Sequence, residues 1–156
     1  MKPRANLSVD TGTVITIQEM LYAVKAELGS ADVLAMSAAV CDYQPAKSFN
    51  DKQKAKELIL QLTRTTDILE TTSQARYKAY SVGFSLDANN NLNEAKRKLS
   101  DEKLNMITAN PIETLDSDSI KPTVIYNKSK IENLLRSAKK AFALKLIEII
   151  RSEIKK

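Results

Sequence analysis

Apolar positions along this chain change period several times, and each change marks an element. Met20, Leu21, Val24 and Leu28 recur at the spacing of one helical face. Ahead of them, Thr16-Ile17-Gln18-Glu19 has the form of a capping box. In that arrangement the Thr hydroxyl takes the third helical amide and the Glu carboxylate reaches back to the cap. Gly29 is the expected stop. The run Asp32-Val33-Leu34-Ala35-Met36 is short and apolar, as a buried strand requires, and Ala35 to Val40 reads as an inner strand with neighbours on both sides. Leu58, Leu60 and Leu62 alternate with more variable neighbours and predict a further strand.

The second half repeats the alternation. A short helix is expected from Asp67 to Arg76 and a strand from Ala79 to Phe84, ending beside Gly83. The polar turn Asn89-Asn90-Asn91 leads into a charged helix from Leu92 to Lys103, followed by a strand from Leu104 to Ala109. Pro111 and Asp116-Ser117-Asp118-Ser119 mark a loop, and Pro122 opens a strand from Thr123 to Tyr126. Residues 131–137 fit either a hairpin strand or the start of a helix. From Ser137 to Ile154 the apolar set Phe142, Leu146, Ile149 and Ile150 predicts a long closing helix. Strands alternating with helices imply an α/β fold with a mostly parallel sheet and helices on both faces. No internal repeat breaks the pattern, so residues 1–156 read as a single α/β domain.

Composition narrows the class. Hydrophobic residues make up 43% and charged residues 28%, enough to bury a core and keep a polar surface. No apolar run is long enough to span a membrane, and the start lacks the pattern of an export signal, so a cytoplasmic protein without membrane partners is expected. The single Cys41 cannot form an internal disulfide and fits a reducing compartment. Twenty-four Lys and Arg against nineteen Asp and Glu favour a polyanionic ligand. Many of the lysines (Lys139, Lys140, Lys145, Lys155, Lys156) fall near the C-terminus, however, as the solvated face of a helix. Aromatic residues make up only 5%, which leaves few platforms for stacking bases, so nucleic acid is not the expected partner.

Much familiar chemistry is excluded. The chain has no His, which removes the usual general base and the commonest zinc ligand, and no metal site is expected. Three glycines cannot build a P-loop or a glycine-rich dinucleotide fingerprint. Cys41 has no His to activate it and reads as a small buried hydrophobe. In open α/β sheets ligands bind beyond the carboxyl ends of the strands, which singles out three places. At the first, small Ala38 and Ala39 would let a ligand approach the backbone, with Asp42 within reach of a ribose or a metal. At Gly83-Phe84 the glycine would admit close approach and the ring could stack on a base. At Ala109-Asn110-Pro111 a polar residue stops an apolar strand. Each also has a plain packing explanation. Lysines remain the best electrophiles: Lys52, Lys54 and Lys56 in a basic loop, and Lys98 on the helix after Phe84.

These same segments carry a family resemblance. Ala38-Ala39-Val40-Cys41-Asp42-Tyr43 resembles the Ala-Ala-Val-x-Asp-Tyr motif of phosphopantothenoylcysteine synthetases (phosphopantothenate–cysteine ligases). Lys52-Gln53-Lys54 is similar to their Lys-Ile-Lys loop, and Thr66-Asp67-Ile68-Leu69 to Pro-Asp-Ile-Val. Val82-Gly83-Phe84 matches Val-Gly-Phe, Ala95 to Lys98 stands where Ala-Arg-x-Lys occurs, and Ile107 to Asn110 resembles Ile-x-Ala-Asn. Order and spacing agree from Asn6 to the end.

The resemblance implies a Rossmann-like three-layer fold and a ligase of coenzyme A biosynthesis. Such a ligase joins 4′-phosphopantothenate to cysteine through an acyl-nucleotide, using CTP or ATP with Mg²⁺, typically as a homodimer. It implies a nucleotide pocket of Ala38, Ala39, Asp42, Lys52, Asp67, Ile68, Leu69, Phe84 and Lys98. Lys52, on a flexible strap, and Lys98 would be its catalytic cations. Ala39, Asp87 and Asn110 would meet the other substrates. Three departures stand out. The family's first strand, glycine-rich turn and Asn-containing segment have no counterpart ahead of Asn6, so this chain alone is expected not to turn over. Ser85-Leu86-Asp87 replaces Ala-Ala-Glu, and Glu102, beside Lys103, stands where the family carries a second lysine. A non-catalytic nucleotide-binding module, or a fragment needing a partner chain, is the alternative reading.

Overall fold

The computed structural model describes residues 10–155 apart from Ser48, Asn50, Gln53, Arg76 and 88–91, with Gln74 and Asp87 as backbone only. Helix α1 (Ile17–Leu28) begins with the expected capping box. Thr16 Oγ1 accepts from the Glu19 amide at 3.1 Å, and Glu19 Oε2 accepts from the Ile15 and Thr16 amides at 2.8 and 3.0 Å. Those amides hold the Glu19 carboxyl below the ordinary carboxylate range. Gly29 follows at φ −63°, so it ends the helix through low helix propensity rather than through a left-handed turn.

After α1 come β1 (Val33–Met36), β2 (Tyr43–Pro45), β3 (Leu62–Arg64), α2 (Ile68–Gln74), β4 (Tyr80–Asp87) and α3 (Asn93–Asp101). Then follow β5 (Met106–Pro111), a 3-10 turn (Ile112–Thr114), β6 (Ser119–Ile120), β7 (Thr123–Tyr126), β8 (Ile131–Asn133), β9 (Ser137–Ala138) and α4 (Lys139–Ile154). The main sheet has the order β1-β4-β5-β7-β8. Its strands β1, β4 and β5 run parallel, while β7 and β8 close one side as an antiparallel hairpin. A tight turn makes that hairpin: the Tyr126 amide donates to the Lys130 carbonyl at 2.9 Å, with Ser129 at φ 64°. Of the open choice over residues 131–137, strand is found at 131–133 and at Ser137, with 134–136 in neither strand nor helix. Two short antiparallel pairs, β2 with β3 and β6 with β9, lie outside the main sheet.

Side-chain alternation on the strands builds three layers. On one face Val82, Met106, Val124 and Tyr126 pack under Phe142, Leu146, Ile149 and Ile150 of α4. On the other, Leu104, Ile107, Ala109 and Ile125 pack against Ala95 and Leu99 of α3. Further along that face Leu21 of α1 meets Met36 and Ile68. The architecture is the expected Rossmann-like α/β domain.

Three local expectations need correction. Among the described residues β1 pairs only with β4 and ends at Met36, and Ala35 is exposed, so residues 35–40 are not an inner strand. Leu58 and Leu60 are exposed and precede β3 rather than joining it. Gly83 is buried and gives no ligand an approach: a Cβ there would lie 2.5 Å from Leu104 Cδ1. That glycine exists to let Leu104 close the sheet, not to admit a nucleotide. The turn expected at Asn89-Asn91 lies outside the described residues.

Candidate functional site

At the carboxyl end of the parallel strands the chain leaves β1, turns through residues 37–42, and returns past β3 into α2. Thr65 ties the two passes together: its amide donates to the Asp42 carbonyl at 2.9 Å and its hydroxyl to the Cys41 carbonyl. Asp67 then caps α2, its Oδ1 accepting from the Glu70 amide at 2.9 Å. These bonds fold the turn over the end of β4 and against α3, and a cleft results. It encloses about 110 Å³, against roughly 300–1,000 Å³ for a small-molecule site, so a whole nucleotide would extend beyond it along the open rim.

Seven of the sequence-predicted residues line this one cleft: Ala38, Asp42, Asp67, Ile68, Leu69, Phe84 and Lys98. They come from the β1–β2 turn, α2, β4 and α3, segments up to 60 residues apart (Lys98 minus Ala38) that only the parallel sheet brings together. Ala39 and Lys52 are exposed and do not line it. Cys41 is exposed and does line it, which corrects its reading as a buried hydrophobe: in the 37–42 turn it is the neighbouring Val40 that packs on the Leu21–Met36–Ile68 core, and the thiol is left on the cleft side. Lys98 is half-buried, one turn along α3 from buried Ala95, and forms no ion pair among the described residues. Arg97 beside it is held on the outer face by Glu94 and Asp101 at 2.7 and 2.8 Å.

The pattern of the sequence gave no reason to place Arg64 here, yet it lines the cleft. Its only signal is position, just ahead of the Thr66-Asp67 motif. Glu102 also lines it, one turn beyond Lys98. Burial pushes the Glu102 carboxyl up to about 7, Asp67 pushes the same way, and Lys98 and Arg97 oppose.

Asn110 lies elsewhere on the same rim. It is 8% exposed and lines a separate cavity of about 390 Å³ with Lys121, Thr123 and Asn133, within the usual range of roughly 300–1,000 Å³ for small-molecule sites. Among the described residues its Oδ1 finds no hydrogen-bond donor, and the hydroxyl of Thr108 on the same face of β5 finds no partner. A buried acceptor without a donor costs about 1–3 kcal/mol, so the position is suited to a donor supplied from outside. Asp87 ends β4 beside this rim, its strand partner being Pro111. Among the described residues no three Asp, Glu, Cys or His converge to hold a metal ion.

A cation-bearing cleft at the carboxyl end of the parallel strands stands where Rossmann-like α/β domains take their ligands, and that fold is the class to which the chain belongs. The family described as DNA/pantothenate metabolism flavoprotein C-terminal domain matches residues 2–154. A coenzyme A biosynthesis bifunctional protein CoaBC of Vibrio vulnificus (strain YJ016) is 31% identical over 111 residues, 68% of this chain and 28% of that protein. A solved C-terminal domain of a CoaBC superposes with TM-score 0.75 at 28% identity, over 91% of this chain and 64% of that one. A structure of Cab2 in complex with phosphopantothenate-cysteine shares the fold alone, at TM-score 0.68 and 14% identity over 91% of this chain and 51% of that one. The chain belongs to the DNA/pantothenate metabolism flavoprotein C-terminal domain family, and the resemblance carried by its motifs holds. The chain spans less than half the length of the CoaBC relatives it matches.

Proposed function

We propose that this domain is a phosphopantothenate–cysteine ligase, or the larger part of one, working through an acyl-nucleotide. The observation that carries the reading is the gathering of Ala38, Asp42, Asp67, Ile68, Leu69, Phe84 and Lys98 in one cleft. In such a reaction the carboxylate of 4′-phosphopantothenate attacks the α-phosphate of CTP or ATP and releases pyrophosphate. The cysteine amine then displaces the nucleotide. The protein's task is to place the reactants and to offset negative charge on the displaced phosphates, which suits cations and needs no His.

Lys98 and Arg64 are the cations that line the cleft, and Lys98 would take the phosphates, with Phe84 and Leu69 as the apolar wall. Lys52 stands away from the cleft and would act only if its basic strap closed. Asn110, with an acceptor awaiting a donor, and Asp87 beside it would meet the acid or the base. Mg²⁺ would arrive with the triphosphate, since no carboxylate cluster among the described residues waits for it. The competing reading, a nucleotide-binding module without turnover, gains from Glu102, which places an acid where phosphate would sit.

Lys98→Ala tests the site. A charge-assisted hydrogen bond contributes about 1.5–3 kcal/mol, so CTP or ATP affinity measured by calorimetry is expected to fall roughly tenfold or more. Unchanged affinity would remove Lys98 from the site.

A further inference from the structure

Glu102 occupies the wall between two cavities. On one side it lines the cleft with Lys98 and Asp67; on the other it lines a space of about 250 Å³, near the lower end of the usual roughly 300–1,000 Å³ for ligand pockets, bordered by Leu34, Leu69 and Asn105. The backbone fixes it there. Glu102 ends α3, its amide donating to the Lys98 carbonyl at 3.0 Å, and Lys103 follows at φ 51° to turn the chain into β5. Four residues separate Lys98 from Glu102, so both lie on one side of the helix. They form no ion pair with each other, nor does Glu102 accept a hydrogen bond among the described residues.

We propose that Glu102 opposes phosphate in the cleft, so that its carboxyl must be protonated for an anionic phosphate to seat tightly on Lys98. The proposal rests on the nucleotide reading above and adds a dependence on pH to it. Any phosphate that reaches Lys98 also meets this acid, and at the partly buried wall like charges are poorly screened. The charges around Glu102 are mixed. Asp67 at the head of α2 and Asp101 on its own helix favour the protonated form; Lys98 and Arg97 favour the ionised one. Across the cleft stand Asp42 and Arg64, and on the side of the second cavity Lys78 and Lys103. Burial leads the balance and brings the carboxyl to about 7, so it titrates where binding is normally measured.

Two consequences follow. Affinity for a nucleotide triphosphate should fall as pH rises through neutrality, and removing the carboxyl should abolish the protein's share of that fall. The phosphate of the ligand titrates too, but equally for every variant. The experiment is calorimetric titration of the whole chain with ATP and with CTP at constant Mg²⁺, from about pH 6 to pH 8.5, for wild type, Glu102→Gln and Glu102→Ala. Relative to wild type, both variants are expected to gain roughly fivefold or more in affinity at the alkaline end and little at the acid end. Glu102→Ala guards against an unforeseen contact of the glutamine amide.

Parallel pH profiles for all three proteins would overturn the role of Glu102 while leaving nucleotide binding intact. Absence of binding by any of the three at any pH would overturn the nucleotide reading and this inference with it.

Discussion

At the scale of single residues, two positions show how chemistry and packing compete for the same motif. Gly83 and Phe84 are neighbours, yet they face opposite ways. Phe84 reaches both the cleft and the α4-side core, whereas Gly83 lies under Leu104. Gly83→Ala should therefore act on stability rather than on ligand affinity. Forcing the buried Leu104 aside costs about 1–3 kcal/mol, to be read as a lower denaturant midpoint with unchanged nucleotide affinity. A variant as stable as wild type would show that Leu104 has room to move.

Glu102 gives the second residue-scale prediction, independent of any ligand. Its folded carboxyl, at about 7, lies above the ordinary 4.5, so the folded protein holds an extra proton between those values. Its ionisation costs stability progressively as pH rises through that window, and the full cost is present above the folded value. Thermal midpoints of wild type and Glu102→Gln should diverge on going from mildly acid to alkaline pH, with the glutamine variant gaining. Identical midpoints across the range would mean that this carboxyl titrates normally.

At the scale of elements, the helix starts obey local rules while the strap between β2 and β3 does not. Thr16 and Asp67 cap α1 and α2 through their own side chains, the first as its capping box predicts. Replacing Thr16 with Ala should cost about 1 kcal/mol, because the Glu19 amide loses its acceptor, to be read as a lower denaturant midpoint. The strap carries Lys52, Lys54 and Lys56, all exposed, and the bond from the Ala46 amide to the Gln61 carbonyl, at 2.8 Å, extends the β2–β3 ribbon toward it. Amide exchange over residues 52–56 should be fast in the free protein and slow when nucleotide is added. Equal exchange with and without nucleotide would leave these lysines as a solvated loop.

At the scale of the whole molecule, the solvent side of α4 carries basic residues together with exposed Leu144 and Ile147. α4 keeps Lys139, Lys140 and Lys145 on its solvent side, with Lys145 paired to Glu148, so part of the net charge of +5 is a solvated helix face. Among the described residues no helix is long and apolar enough to cross a membrane. The ribbon instead exposes Tyr43, Ile59 and Leu62, with Ile59 94% exposed, an apolar group of the kind that marks association between chains. We propose self-association through it, in keeping with the expected homodimer. Ile59→Glu should then lower the mass measured by sedimentation equilibrium to that of one chain without lowering the melting temperature. A wild-type chain already monomeric at tens of micromolar would end that proposal.

Local pattern alone determined the helices, the three parallel strands and the α/β class, because caps and hydrophobic period are short-range properties of the chain. The family resemblance, rather than the pattern, marked Asp42, Asp67, Phe84 and Lys98 as one set, since motifs in register survive without knowledge of contacts. What sequence could not decide was direction. Nothing in Gly83 says whether its missing Cβ makes space for a ligand or for Leu104, and nothing in residues 131–137 says that Ser129 turns the chain back into a hairpin. Nor could it place Arg64 and Glu102 in the cleft with Lys98, or raise the Glu102 carboxyl toward neutrality. Those properties depend on which surfaces meet across the sheet and how much water they exclude, and only the folded chain fixes both.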